Sequence, residues 1–165
     1  ATFGKKRYSQ GKGQELHRRS LYTFWRRIVG PSLFFDTAKR QVCEVKPLRT
    51  NTPMHALTTL NDVTFVEAAR ALSSRSLTQT NDAAECMEFI GIQVLGRVPK
   101  ISEIAVWKRS LNRAMTAFEA APEEAKRFLN HGVSERHGEL SEVEHAAWTA
   151  LCLNVLNLDE TLTKE

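Results

Sequence analysis

The sequence predicts an all-α fold: an irregular bundle of about six or seven helices with one long ordered loop over about 31–52. Three observations lead there. Apolar residues recur at helical spacing in several segments. Start and stop signals for helices punctuate the chain, among them Thr52-Pro53, Asp62, Gly96, Pro122 and Ser141. No segment shows a convincing period-two alternation that would mark a half-buried strand.

The elements follow in order. Residues 1–13 are rich in Gly and Lys and have no period, which reads as an extended arm. From Glu15 the pattern turns helical, and Leu21, Phe24, Trp25 and Ile28 form one apolar stripe. Gly30-Pro31 stops that helix. Thr52 is a good N-cap and Pro53 suits the first helical position, so a short helix is expected from Pro53 to about Leu60. Asn61 is expected at the left-handed position that ends it, and Asp62 as the cap of the next. That next helix should bury Phe65, Val66, Ala69 and Leu72. Another should begin near Asn81 or Asp82, run through Met87, Ile90 and Val94 to Leu95, and end at Gly96 and Pro99. A further helix near Ser102 carries Ile104, Trp107, Leu111 and Met115. Pro122 opens a short one, with Glu123 and Glu124 favoured in its first turn by the helix dipole. Residues 131–140 read as a polar loop. Ser141-Glu142-Val143-Glu144 reads as a capping box before a last helix with Ala147, Trp148, Leu151, Val155 and Leu156.

Composition narrows the classes. The 165 residues are 42% apolar and 25% charged, near globular averages, which excludes a wholly disordered or collagen-like chain. No apolar run approaches membrane-spanning length. Charge is uneven. Residues 1–50 hold 12 Lys and Arg against 3 Asp and Glu, and residues 51–165 hold 11 against 16. A basic head on an acidic body suits an anionic partner or an intramolecular contact.

Within that head, Arg18, Arg19, Arg26 and Arg27 alternate with Tyr22, Phe24 and Trp25. Such a mixture can bind nucleic acid by phosphate contacts and stacking, and can equally hold a polyanion such as a sulfated polysaccharide through Arg forks and aromatic faces. The ordinary alternative, which the apolar stripe favours, turns the aromatics inward and pairs the arginines with acids of the body. Helices 53–60 and 62–74 superficially suggest a helix-turn-helix. The second has little basic character where base contacts would be made, so no nucleic-acid partner is expected.

Candidate chemistry is sparse. There is no Cys-x-x-Cys, no Gly-rich phosphate loop and no His-Glu-x-x-His. His131 and His137 share a polar loop with Glu135 and Glu139, but no spacing sets two ligands on one helical face, so no metal is expected. Cys43, Cys86 and Cys152 allow at most one internal disulfide. Cys86 and Cys152 fall in apolar helical patterns and read as buried small residues. Cys43 lies in an irregular polar stretch. The densest polar knot is Arg49-Thr50-Asn51-Thr52-Pro53, followed by His55. It reads as a structural corner in which Thr52 caps a helix, Asn51 closes a turn and Arg49 clamps carbonyls or a carboxylate.

The run Arg18-Arg19-Ser20-Leu21-Tyr22-Thr23-Phe24-Trp25, then Phe35-Asp36, Cys43, Arg49-Thr50-Asn51-Thr52-Pro53, Leu60-Asn61-Asp62 and Phe65-Val66-Glu67-Ala68-Ala69-Arg70 resembles the DUF1553 (PSD1) family. Leu95-Gly96-Arg97 with Pro99, and the closing run from Leu156, are similar to the same family. His55 stands where relatives usually carry Gln, Val63 where proline is usual, and Lys100-Ile101 where Thr-Pro would cap the next helix. The resemblance implies that 1–165 is the C-terminal part of a single such domain, closing large exported proteins of planctomycetes and verrucomicrobia. It implies a periplasmic or extracellular compartment, with Cys43 a candidate for a disulfide. It also implies a c-type haem in an upstream domain and none in this chain. The function expected is that of a non-catalytic helper that docks on upstream domains of the same polypeptide, in a protein linked to environmental polysaccharide. The alternatives are a share in the active site of a haem-linked oxidoreductase acting on sugars, with Arg49, Asn51 and His55 near the substrate, or polyanion binding by the head.

Overall fold

The computed structural model describes residues 53–80, 82–134, 136 and 140–162. The chain divides between Thr50 and Asn51, and all that follows concerns the second unit. The arm 1–13, the helix expected from Glu15 and the loop over 31–52 lie outside the described residues.

Helix α1 spans Pro53–Asn61, α2 Val63–Gln79, α3 Ala83–Leu95, α4 Ile101–Ala120, α5 Pro122–Leu129, α6 Glu142–Leu156 and α7 Asp159–Leu162. No strand occurs among the described residues, so the chain is all-α there. The organising element is α6. Apart from Glu142, Glu144, His145 and Asn154 its sequence is apolar or small all round, and a helix of that kind belongs inside. His145 through Thr149, Leu151, Cys152, Leu153 and Val155 are all buried. Helices α2, α4 and α5 pack most extensively around it.

The main core joins Val66 and Ala69 of α2, Met87 and Ile90 of α3, and Trp107 and Leu111 of α4 to the α6 side chains. Full burial of a side chain the size of Met87, Ile90 or Leu151 contributes about 1.5–3 kcal/mol. A second cluster of Ala125, Leu129 and Ala146 seats α5 on α6. Phe118 of α4 and Phe128 of α5 stack beside it with ring centroids 5.9 Å apart.

Local chemistry sets the helix ends. Asp62 is extended, and its carboxylate accepts from the Thr64 amide at 2.8 Å, which caps α2. Asn61 does not take the left-handed position expected of it. It is the last residue of α1, and its Nδ2 donates back to the Leu57 carbonyl at 2.7 Å. Asp82 sits at the N-cap of α3 without a capping side-chain bond. Thr80 serves that corner instead, its hydroxyl accepting from the Asp82 amide at 3.1 Å and donating to Glu85 at 2.5 Å. Gly96 ends α3 with φ +72°, and its amide donates to the Ile92 carbonyl at 3.1 Å. Helix α4 begins at Ile101, one residue before the expected start, and Glu103 Oε2 accepts from the Lys100 amide at 2.6 Å. Ser141 occupies the N-cap of α6, yet its side chain makes no cap bond, so the expected capping box is not formed. Its carbonyl accepts from the His145 amide at 2.8 Å. Helix α7, which the sequence pattern did not announce, adds one short turn after α6.

Candidate functional site

The most elaborate polar structure grows from α2. Glu67 and Arg70 are one turn apart on the same face, and both are buried. Arg70 Nη1 donates to the carbonyls of Leu129 and His131, the latter at 3.1 Å. Its Nη2 donates to the Ser134 carbonyl at 2.8 Å and to the Ser134 hydroxyl. Glu67 Oε1 accepts from the amides of Val133 and Ser134, the second at 2.7 Å, and lies 3.8 Å from Arg70 Nη2. The pair thus clamps the loop that leaves α5. A fork of guanidinium donors suits converging carbonyls, and a carboxylate suits converging amides.

The electrostatics follow from that geometry. Burial pushes the Glu67 carboxyl upward. The bonds from Ser134 and Val133 and the charge of Arg70 together pull it further the other way, and the balance lies below the ordinary value. Burial lowers Arg70, Glu67 partly offsets this, and nearby Arg136 adds to the lowering.

A second polar seam runs between α2 and α6. Ser73 Oγ and Thr149 Oγ1 are 2.9 Å apart. Ser73 also reaches the Arg70 carbonyl at 2.9 Å, and Thr149 the His145 carbonyl at 2.7 Å. Two hydroxyl protons serve three contacts, so one contact shares a proton with its neighbour. His145 Nε2 lies 3.2 Å from the same Arg70 carbonyl. This seam resembles the oxygen-rich part of a nucleophile site, yet each hydroxyl is tied to helix backbone. Among the described residues no buried side-chain nitrogen or oxygen lacks a partner.

The third constellation lies after α3. Arg97 forks onto Glu103 of α4 at 2.8 and 2.9 Å and onto Glu160 of α7 at 2.7 Å through both Nε and Nη2. Both carboxyls fall below their ordinary value. Glu103 reaches about 2, held there first by Arg97 and then by the Lys100 amide. Arg97 is raised by the same bonds. Pro99 packs against Gly91 of α3 so closely that a Cβ on Gly91 would come within 2.6 Å of its ring. The Leu95-Gly96-Arg97 and Pro99 run is therefore a corner in which Gly96 turns, Arg97 ties and Pro99 packs.

Cys86 and Cys152 are free thiols, both buried, as the apolar pattern predicted. Burial raises each, and Asp82, Glu144 and Glu85 raise Cys86 further. Neither is poised as a nucleophile, because a thiolate requires the opposite environment.

The residues picked out from the sequence fall elsewhere. Arg18, Arg19, Arg26, Arg27, Cys43, Arg49, Thr50, Asn51 and Thr52 lie outside the described residues. Pro53 is exposed and occupies the first position of α1, as its chemistry predicted. His55 is within α1, and its side chain lies outside the description. His131 is described, with Nδ1 3.0 Å from the Arg127 carbonyl. His137, Glu135 and Glu139 lie outside the description. Among the described residues no group of three or more His, Cys, Asp or Glu side chains is placed to hold a metal. No described helix is long and apolar enough to cross a membrane.

Sequence reasoning missed the Glu67–Arg70 clamp, the α2–α6 seam and the tie from Arg97 to Glu160. The i,i+3 spacing of Glu67 and Arg70 was a signal, but that spacing is shared by countless solvated pairs. The run Leu72-Ser73-Ser74-Arg75-Ser76 inside a helix was a second, since three serines there are unusual guests.

Neither the curated proteins nor the solved structures contain a match to this chain. The family model PSD1, described as a protein of unknown function (DUF1553), matches residues 2–124. The matched range takes in α1 to α4 and the first turn of α5, and stops short of α6 and of the closing run from Leu156. It includes the Gly96 turn, the Arg97 and Glu103 half of the corner, and the Glu67–Arg70 pair. On that match, the chain belongs to the PSD1 (DUF1553) family.

Proposed function

We propose that this chain is a non-catalytic, all-α docking domain of an exported multidomain protein that carries c-type haem elsewhere and is linked to polysaccharide use. The haem-bearing neighbour, the export and the polysaccharide follow from the family resemblance. The observation that supports a docking role over a catalytic one is how the buried ionisable groups are engaged. Arg70 and Glu67 each meet loop backbone and one another, and Cys86 and Cys152 are held as thiols. Groups bound to backbone in this way hold a shape, whereas a catalytic group needs a reacting atom within reach. Around the Arg97 tie, Val98, Ile101, Leu158 and Leu162 leave apolar surface exposed, with Ile101 89% exposed. This reading gives that surface to the neighbouring domains of the same polypeptide.

The test is co-purification of this chain with the upstream part of its own polypeptide. Hydrogen exchange would be followed at residues 98–101 and 158–162. The reading expects a 1:1 complex, haem bound to the upstream part, and slowed exchange at both segments. It also expects that Ile101→Asp weakens the complex while circular dichroism is unchanged. Absence of association, or haem covalently attached to this chain, would overturn it.

A further inference from the structure

We infer that the cleft between the α2–α3 corner, α4 and the first half of α6 is a binding site for a small organic cation. The ligand would have an apolar body with an ammonium group and an acceptor oxygen close to it. The cleft has a volume of about 500 Å³, within the range of ligand pockets. Leu77, Leu111, Met115 and Leu140 give it apolar walls. Trp148 lines it and is only 4% exposed.

Hydrogen-bond accounting defines the head group. A tryptophan offers one donor, the indole N–H, and no acceptor. Among the described residues no group is bonded to the Trp148 N–H, and no buried side-chain nitrogen lacks a partner. The N–H is therefore not sealed in the core, and in a cleft that its own side chain lines it can take an acceptor oxygen. Glu144, two residues into α6, lines the same cleft with an exposed carboxylate, and Asn112 adds an amide. No Lys, Arg or His is among the described lining residues. The thiol of Cys86 on the wall is already engaged, near the carbonyls of Ser76 and Thr80 at 3.5 and 3.3 Å. Burial raises that thiol, and Asp82, Glu144 and Glu85 raise it further, so carboxylates gather near this wall. A lining carboxylate with two more nearby, an indole donor in the lining and apolar walls select a cation over an anion or a neutral hydrocarbon.

The probes are phenylalaninol, its uncharged N-acetyl form and the anion 3-phenylpropionate. Each is titrated into the ¹⁵N-labelled full chain while the indole N–H resonances are followed. The chain has three tryptophans. Trp148 is assigned by loss of its signal in Trp148→Phe or, should that variant not fold, by elimination with Trp25→Phe and Trp107→Phe. Phenylalaninol is expected to shift the Trp148 resonance saturably in the millimolar range. The N-acetyl form should need about fivefold more, and 3-phenylpropionate should leave the resonance in place. Glu144→Gln should raise the phenylalaninol Kd about fivefold, the upper range for a partly exposed charge pair, with the rest of the spectrum dispersed. An unmoved Trp148 signal, equal shifts from all three probes, or an unchanged Kd in Glu144→Gln would each overturn the assignment. None of these results bears on docking to neighbouring domains.

Discussion

Gly132 lies directly against the Glu67 side chain with φ +96°, so that a Cβ at 132 would overlap Cγ and Cδ of Glu67. The backbone that presents the amides of Val133 and Ser134 to that carboxylate depends on a residue without a side chain. Gly132→Ala should therefore combine left-handed strain with displacement of Glu67, and cost about 1–3 kcal/mol. Urea unfolding at neutral pH measures it, and a change under 0.5 kcal/mol, about the spread of ordinary surface substitutions, would contradict the packing described.

Removing one partner of the clamp should cost more. Arg70→Met leaves Glu67 buried without its cation and strips donors from the carbonyls of Leu129, His131 and Ser134. About 3–5 kcal/mol is expected, the usual result of orphaning a buried charge. The double variant Glu67→Gln/Arg70→Met should lose less than the two single losses together. Additive losses in that cycle would show that the two side chains act independently.

Acid should loosen the fold along a defined limb. Glu103 is held at about 2 against an ordinary 4.5, and Glu67, Glu142 and Glu160 also lie below 4.5. A carboxyl that binds its proton less readily when folded contributes stability above its unfolded value. That contribution fades as pH falls through the folded one. Thermal midpoints should thus hold above pH 4.5 and fall from there toward pH 2. In Arg97→Ala the fall should be shallower, because Glu103 and Glu160 lose the partner that lowers them. An equally steep limb in that variant would remove Arg97 as the cause.

The two described thiols should be inert in the native protein. Cys152 is fully buried and Cys86 nearly so, and both are displaced upward from the ordinary thiol range. In a Cys43→Ser background, pulse labelling with a thiol reagent followed by mass spectrometry should modify neither until denaturant is added. Rapid native labelling of Cys152 would show that α6 opens far more readily than its packing implies.

Where one or two residues decide an outcome locally, the sequence was readable. Gly96 turns left-handed because it has no Cβ, Pro122 opens α5 because it needs no amide donor, and Asp62 caps because its carboxylate reaches two residues on. The Ser141 box failed for a matching reason: a motif offers a bond, and the surroundings decide whether it forms. Periodicity placed Val66 and Ala69 inside, but it counts only apolar residues, so it passed over Glu67, Arg70, Ser73 and Ser76 on the same helix. Those residues are buried by partners far along the chain, Arg70 by a loop some 60 residues away. Arg97 was visible within a family run, whereas its tie to Glu160 spans 63 residues and no local pattern reports it. The polar knot from Arg49 to Thr52, and the arginines of the head, are not among the residues described.

The placement of α6 has a kinetic consequence. It is the helix around which α2, α4 and α5 close, and it follows all three in the chain. During synthesis α2 leaves the ribosome long before its main partner exists, since Ser73 and Thr149, which meet across their interface, are 76 residues apart. Until then the apolar faces of α2, α3 and α4 lack their main partner, a state prone to association with other chains. Contacts of such long separation also slow the search that forms them. A nascent chain halted at Glu124 would already display everything in this chain that matches the family model. It would still lack the helix that lets that stretch become a core, so assembly is gated by the arrival of α6.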